Sequence, residues 1–243
     1  MANIPKKPED IFDELTSDIR EVFGSRLVSI FLYGSGASAD YIPGKSDLNF
    51  LFLLSEEQDG DLQKVQAIFP KWKKRRVALP LIMTRDFMLS SLDSYPIEFL
   101  NIKGRHVTVF GEDALGSLVF DPAALRLQAE RELKGKMLLL KMRYLETEGK
   151  GARIESLIKE SITAFLSIFH ALLYLKGAGI PQGRKDVVRV LEKVFTFNAN
   201  VFIECIDIKE GRRRVAVREL ESIIHAYLKE LVSLAHQVNG MKI

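Results

Sequence analysis

Residues 27–54, LVSIFLYGSGASADYIPGKSDLNFLFLL, constrain the fold more than any other stretch of this chain. LVSIFLY (27–33) and LNFLFLL (48–54) are continuous, β-prone apolar runs. Short uninterrupted runs of this kind read as strands buried on both faces. Residues 34–46 between them hold three glycines, a proline and several serines, the composition of a loop. Two strands joined this way belong to one sheet and bring both ends of the loop to the same edge of it.

Around this pair the N-terminal half reads as mixed α and β. Residues 8–24 alternate apolar and charged positions at helical spacing and stop at Gly24. Residues 59–73 are a second expected helix, 76–83 (RVALPLIM) a third strand with Pro80 marking an edge or a bulge, and 85–93 a short helix. Residues 96–102 and 105–110 read as a strand pair turning at Lys103-Gly104. After Asp121-Pro122 the texture changes. Residues 122–148, 152–176, 184–196, 198–209 and 214–238 all read as helices, with the segment from Ile162 to Leu175 very apolar. The expectation is an α+β chain: a domain over 1–115 with a mixed sheet flanked by helices, then an antiparallel helical bundle over 116–243.

Three features of 27–54 converge chemically. Gly34 and Ser35 follow a buried strand directly. Glycine lets the backbone approach a ligand, the amides after it can face an anion, and the Ser35 hydroxyl adds a donor. Asp47 and Asn49, two apart on a strand, share one face, while Leu48 and Phe50 point into the core. Ser46 completes the group. A Gly-Ser cradle facing two metal-binding side chains suits a nucleoside triphosphate with Mg²⁺, a hard cation that prefers carboxylate and phosphate oxygens. Structural alternatives exist for each: a tight turn at Gly34-Ser35, a capping carboxylate at Asp47, a buried amide at Asn49.

Gly34, Ser35 and Asp47, at this spacing, resemble the nucleotidyltransferase superfamily that includes the aminoglycoside and minimal nucleotidyltransferases. The likeness extends over about residues 27–113, including YPIEFLNIKGRHVTVFGED. The helical half resembles bundles of the kanamycin-nucleotidyltransferase C-terminal or HEPN kind. The resemblance implies a nucleotidyltransferase fold, Gly34, Ser35 and Ser46 on the nucleotide, Asp47 on the metal, Asp47 and Asn49 in catalysis, and transfer of a nucleoside monophosphate to a hydroxyl of an acceptor. Two positions depart from the pattern. Asn49 stands where the second carboxylate belongs, and 76–83 carries no third one. Asp40, in the loop, and Glu98, on an expected strand, are candidates to make up the deficit. Two readings therefore stand beside each other: an active Mg²⁺-dependent transferase, and a degenerate nucleotide-binding or interaction module.

The remaining motifs are weaker. KWKKRR (71–76) suits a polyanion or a solvated helix end, where positive charge favours the C-terminal dipole. Arg212–Arg214 has the same two readings. Arg218 and His225 lie seven apart on the last expected helix and suggest, as a minor alternative, a HEPN-like RNA-acting component. No histidine pair has zinc-ligand spacing. Cys205 is the only cysteine, which excludes an intrachain disulfide and fits a cytoplasmic setting. A net charge of +3 gives no argument for nucleic acid as a partner. The N-terminal stretch has no apolar segment after its lysines and does not read as a signal peptide, and runs such as FLFLL are too short to cross a bilayer. The apolar helix at 162–175 could instead serve a homodimer.

Overall fold

The two apolar runs of the N-terminal half pair with each other and form the centre of a sheet. The computed structural model describes residues 4–38, 41–213 and 215–242. After a 3-10 turn at Pro8–Ile11 come α1 (Phe12–Phe23), β1 (Leu27–Tyr33), β2 (Asn49–Leu54), α2 (Asp61–Lys73), β3 (Leu81–Thr84), α3 (Arg85–Ser90), α4 (Pro96–Gly104) and β4 (His106–Gly111). The strand order is β3-β2-β1-β4, with β1 antiparallel to β2 and β4 and β2 parallel to β3.

Strand burial follows from this order. From Ile30 to Leu32 and from Phe50 to Leu54 every side chain is buried, because both faces of the central strands are covered. Ile30, Leu32, Leu48, Phe50, Phe52 and Leu54 pack with Leu15, Ile19 and Phe23 of α1 and Val65 and Trp72 of α2. The spacing of four between Leu15, Ile19 and Phe23 puts them on one stripe of α1. Each such side chain contributes about 1.5–3 kcal/mol by leaving water. Trp72 also donates its Nε1–H to Asp18 Oδ2 at 3.0 Å, tying α2 to α1.

Two strand expectations are corrected. Residues 96–102 are not a strand paired with 105–110: Pro96–Gly104 is a helix, and the following strand pairs with β1. Pro96, Ile97, Phe99, Leu100 and Ile102 are all buried, so the helix is apolar over most of its circumference and shows no 3.6-residue period to set it apart from a buried strand. Its start is nonetheless well made. Proline fits the first turn, and the Ile97 amide donates to Gln128 Oε1 at 2.8 Å. The third strand is also shorter than 76–83. Only 81–84 forms a ladder, at the sheet edge, and Val77 makes an isolated parallel bridge to Leu48. Pro80, lacking an N–H, interrupts the pairing between them.

The second half is helical throughout: α5 (Pro122–Glu146), α6 (Gly151–Leu175), α7 (Arg184–Glu192), α8 (Ala199–Lys209) and α9 (Val217–Asn239). Asp121 caps α5 by accepting the Ala123 amide at 3.0 Å, and Asn198 caps α8 by accepting that of Asn200 at 3.0 Å. The described chain divides into two units, one running up to Asp93 with Phe99–Val119 added, the other made of Ser94–Glu98 and the chain from Phe120 onward.

Helix α6 packs against α5, α7, α8 and α9 alike. Its central place explains its composition. Ile158, Ile162, Phe165, Phe169 and Leu172 are at most 1% exposed. Most apolar side chains of 162–175 are thus part of the bundle's own core, which accounts for the composition of that segment. By length and composition alone Gly151–Leu175 could cross a bilayer, unlike the short apolar runs noted in the sequence, but just over half of its most apolar window (56%) is buried inside the protein.

Candidate functional site

The site-like residues gather where β1 ends and β2 begins. Tyr33, the last residue of β1, lies opposite Asn49, the first of β2. The Gly34-Ser35 turn and Asp47 therefore leave the sheet at the same end. Gly34 has φ +75°, a conformation that favours glycine, and a Cβ built there would stand 3.4 Å from Asn49 Nδ2. The Asn49 amide thus lies directly against the Gly34 backbone. Gly36 is the buried member of the turn. A Cβ on it would meet Leu48 Cδ2 at 2.9 Å and Leu32 Cδ1 at 3.1 Å, which fixes the turn close to the strands.

Not every expected donor is available. The Gly34 N–H donates to Arg105 O at 3.0 Å, joining the turn to the residue before β4. The Ser35 carbonyl accepts from Ser38 N at 3.3 Å and from Ser38 Oγ at 3.2 Å. The hydroxyl of Ser35 and the side-chain amide of Asn49 have no hydrogen-bond partner among the described residues, and both residues are half-buried. Ser46 is occupied differently. Its Oγ accepts the Ile42 amide at 3.0 Å and closes the turn that leads into Asp47. Tyr33, beside Asn49, is partly buried, and burial pushes its phenol above the ordinary tyrosine range.

Asp47 is more than half exposed and does not stand alone. The Nε of Arg76 lies 3.1 Å from Asp47 Oδ1, an ion pair whose N–H is not aimed at the oxygen well enough to count as a hydrogen bond. Arg76 Nη2 donates to Lys45 O at 2.5 Å, just before Ser46. The backbone is tied in as well. Leu48 N donates to Arg76 O at 2.8 Å, and Ala78 N donates to Leu48 O at 2.9 Å. Arg76 holds φ +68°, rare for a residue with a side chain. One arginine thus spans the turn, the carboxylate and the start of β2.

Nothing in its sequence neighbourhood set Arg76 apart. It closes the KWKKRR run, and the other partnered cations of that run face α1. Lys71 Nζ pairs with Asp18 at 2.7 Å and Glu14 at 2.8 Å, and Arg75 also pairs with Glu14. Lys71 and Arg75 lie over the Trp72 ring, 4.8 and 5.1 Å from its centroid. The useful signal was position, since Arg76 directly precedes the segment that runs beside Asp47.

The carboxylate deficit is not made up among the described residues. Glu98, expected on a strand as a substitute third carboxylate, is instead in the first turn of α4, where its Oε2 accepts from Gln128 Nε2 at 2.7 Å. Asp40 lies outside the described residues. The segment beside β2, residues 77–84, contains no acidic residue. No group of three or more His, Cys, Asp or Glu suited to a metal ion occurs among the described residues. Mg²⁺ is a hard, octahedral ion, usually held by one or two free carboxylates with water and substrate phosphate oxygens completing its shell. A single carboxylate beside a guanidinium, with a neutral amide next to it, does not fit that ion.

His106, which faces Tyr33 from β4, was not singled out by sequence. Its Nδ1 lies 2.9 Å from Lys103 O and its Nε2 2.9 Å from Asp113 Oδ1. The ring thus bridges the end of α4 and the segment after β4. Burial pushes the Asp113 carboxyl up, but the Gly116 amide and His106 outweigh it and hold the group below its usual range.

In the helical unit, the His225 and Tyr144 rings pack in a T-shaped pair with centroids 5.3 Å apart, and Arg218 is exposed. Arg212 pairs with Glu210 at 2.8 Å and Arg213 pairs with Glu204 at 2.6 Å; Arg214 lies outside the described residues. Cys205 is fully buried, and burial raises its thiol well above the ordinary range.

No protein-family model matches this sequence, and no curated protein matches it. Among solved structures the chain is similar to the crystal structure of a spectinomycin adenyltransferase from Enterococcus faecialis with ATP and spectinomycin. The TM-score is 0.56 at 14% sequence identity, over 92% of this chain and 98% of that one. This likeness shows the fold: a mixed sheet flanked by helices, followed by an all-helical bundle.

Proposed function

We propose that this chain is a nucleotide-binding member of the nucleotidyltransferase superfamily, and that its sheet end at Gly34, Ser35, Asp47 and Asn49 takes a nucleoside triphosphate. The observation that carries the reading is the pairing of Tyr33 with Asn49, which sets the Gly34 backbone against the Asn49 amide and brings Asp47 to the same edge. Two polar side chains there, Ser35 and Asn49, have no described partner and are available to phosphate or sugar oxygens. Likeness to a protein solved with ATP adds support from the fold.

A second reading is nucleotidyl transfer itself. An acceptor hydroxyl would attack the α-phosphorus, the bond to the β-phosphate oxygen would break, and pyrophosphate would leave. Fold likeness to an adenyltransferase favours it, and the single carboxylate of the sheet end weighs against it. Calorimetric titration with ATP, GTP, CTP and UTP tests binding, and a pyrophosphate-release assay with hydroxylated acceptors tests transfer. The expected result is saturable binding of at least one nucleotide that is lost in Asn49→Leu. Absence of binding for all four would remove the proposal.

A further inference from the structure

The misfit between this sheet end and a magnesium ion has a specific cause. Asp47, two residues before β2, has no second acidic residue beside it on β2 or on the neighbouring segment 77–84, and the cation beside it is already part of the chain. We infer that the Arg76 guanidinium takes the place of a divalent cation at Asp47, so that the site receives a polyphosphate through a resident positive charge and without metal. The ligand half of this inference rests on the nucleotide reading above; the cation half does not.

The geometry supports a seated group. Four interactions converge on Arg76: Nε at 3.1 Å from Asp47 Oδ1, Nη2 donating to Lys45 O at 2.5 Å, its carbonyl accepting from Leu48 N at 2.8 Å, and its own N–H donating to Lys73 O at 3.1 Å. Its backbone holds φ +68°, which the chain accepts in order to turn out of α2 and bring this side chain back over Asp47. The side chain is about a third exposed, so one side of the guanidinium meets solvent. Arginine keeps its charge at any physiological pH and offers up to five N–H donors, which suits phosphate oxygens.

Charge favours the same conclusion. One carboxylate against one guanidinium leaves Asp47 neutralised, and Lys45 is exposed on the adjoining turn. A dication brought to Asp47 meets a fixed positive charge and only one anionic ligand. A polyphosphate meets two cations and a carboxylate that is already compensated.

The test is calorimetric titration of the full chain with ATP in EDTA and in Mg²⁺, with Mn²⁺ binding followed separately by electron paramagnetic resonance. The variants are Arg76→Gln, Arg76→Gly and the double variant Arg76→Gln/Asn49→Asp. Glycine at 76 adopts the left-handed conformation freely, so Arg76→Gly removes the guanidinium with the backbone relieved and serves where Arg76→Gln fails to fold. The expected results are ATP affinity that agrees within about threefold in EDTA and Mg²⁺, and a fall of about tenfold or more in both single variants in EDTA. No Mn²⁺ should bind the natural protein below about millimolar, and the double variant should gain Mn²⁺ binding. ATP binding that requires Mg²⁺, or Mn²⁺ binding by the natural protein that Asp47→Asn abolishes, would overturn the inference. If no nucleotide binds in either condition, the nucleotide reading fails. The Mn²⁺ arms then decide the cation alone: no gain of Mn²⁺ in the folded double variant removes it too.

Discussion

Tyr33 and Asn49 are cross-strand partners, and the residue after the first, Gly34, carries its α-hydrogens against the side-chain amide of the second. This contact holds the loop between β1 and β2 in register at the end of the sheet where every candidate phosphate ligand gathers.

Gly34→Ala tests that contact. Alanine must take φ +75° with its Cβ 3.4 Å from Asn49 Nδ2, an ordinary van der Waals distance. The main cost is conformational, about 1–2 kcal/mol. The expected outcome is a folded protein with a lowered melting temperature and nucleotide affinity reduced about tenfold, because the Asn49 amide is partly covered. Unchanged affinity in calorimetry would separate Gly34 from the ligand.

Gly111 has the same sign of φ, +80°, but a different neighbourhood. A Cβ there would stand 2.0 Å from Val28 O, and backbone cannot swing away as a side chain does. Gly111→Ala should cost about 3 kcal/mol or more by adding overpacking to the conformational term. Gly24→Ala is the control. Its φ is +59° and its ψ −133°, a region nearly confined to glycine, but nothing lies within 4 Å of the added carbon, so it carries the conformational cost alone, about 1–3 kcal/mol. Urea melts giving equal midpoints for the two variants would contradict this account.

Asp61 and Arg26 form a bidentate pair, Oδ2 to Nη1 at 2.6 Å and Oδ1 to Nη2 at 2.8 Å, and Asp61 Oδ2 also accepts the Gln58 amide at 2.9 Å. The Arg26 hydrogen bonds hold the Asp61 carboxyl at about 2 against a usual 3.8, although burial pushes the other way. The folded value is the lower one. Its contribution is therefore complete above about pH 4 and is lost as pH falls toward 2. Asp61→Asn should cost about 2–3 kcal/mol at neutral pH and flatten the stability profile across that acid window. Chemical denaturation at several pH values checks both; parallel profiles for the two proteins would refute the linkage.

Gln128 joins α5 to the first turn of α4, accepting from Ile97 N at 2.8 Å and donating to Glu98 Oε2 at 2.7 Å. Gln128→Ala strands a buried amide and should cost about 1–3 kcal/mol. Hydrogen exchange should quicken at Ile97 first. Protection retained there would show that another group satisfies that amide.

The legible and illegible parts of this chain divide by range. The central strands could be read because LVSIFLY and LNFLFLL carry their burial in composition, and the spacing from Gly34-Ser35 to Asp47-Leu48-Asn49 already placed those residues at one sheet edge. The long helices declared themselves through their composition and periodicity. α4 did not, since Ile97, Leu100 and Ile102 are buried on several sides and leave no polar stripe. Glu98 was misplaced with it.

Local pattern settled the strand pair, the helical second half and the identity of the residues that meet at Gly34, because neighbouring side chains alone set periodicity, capping and turn chemistry. Pairing across long separations was decided only by the folded chain. Arg76 reaches Asp47, 29 residues before it, and Arg75, one residue earlier, turns to Glu14 on α1 instead. Adjacent arginines are equivalent in sequence. The left-handed φ at Arg76 and the bridge between Leu48 and Val77 are what send them to opposite partners.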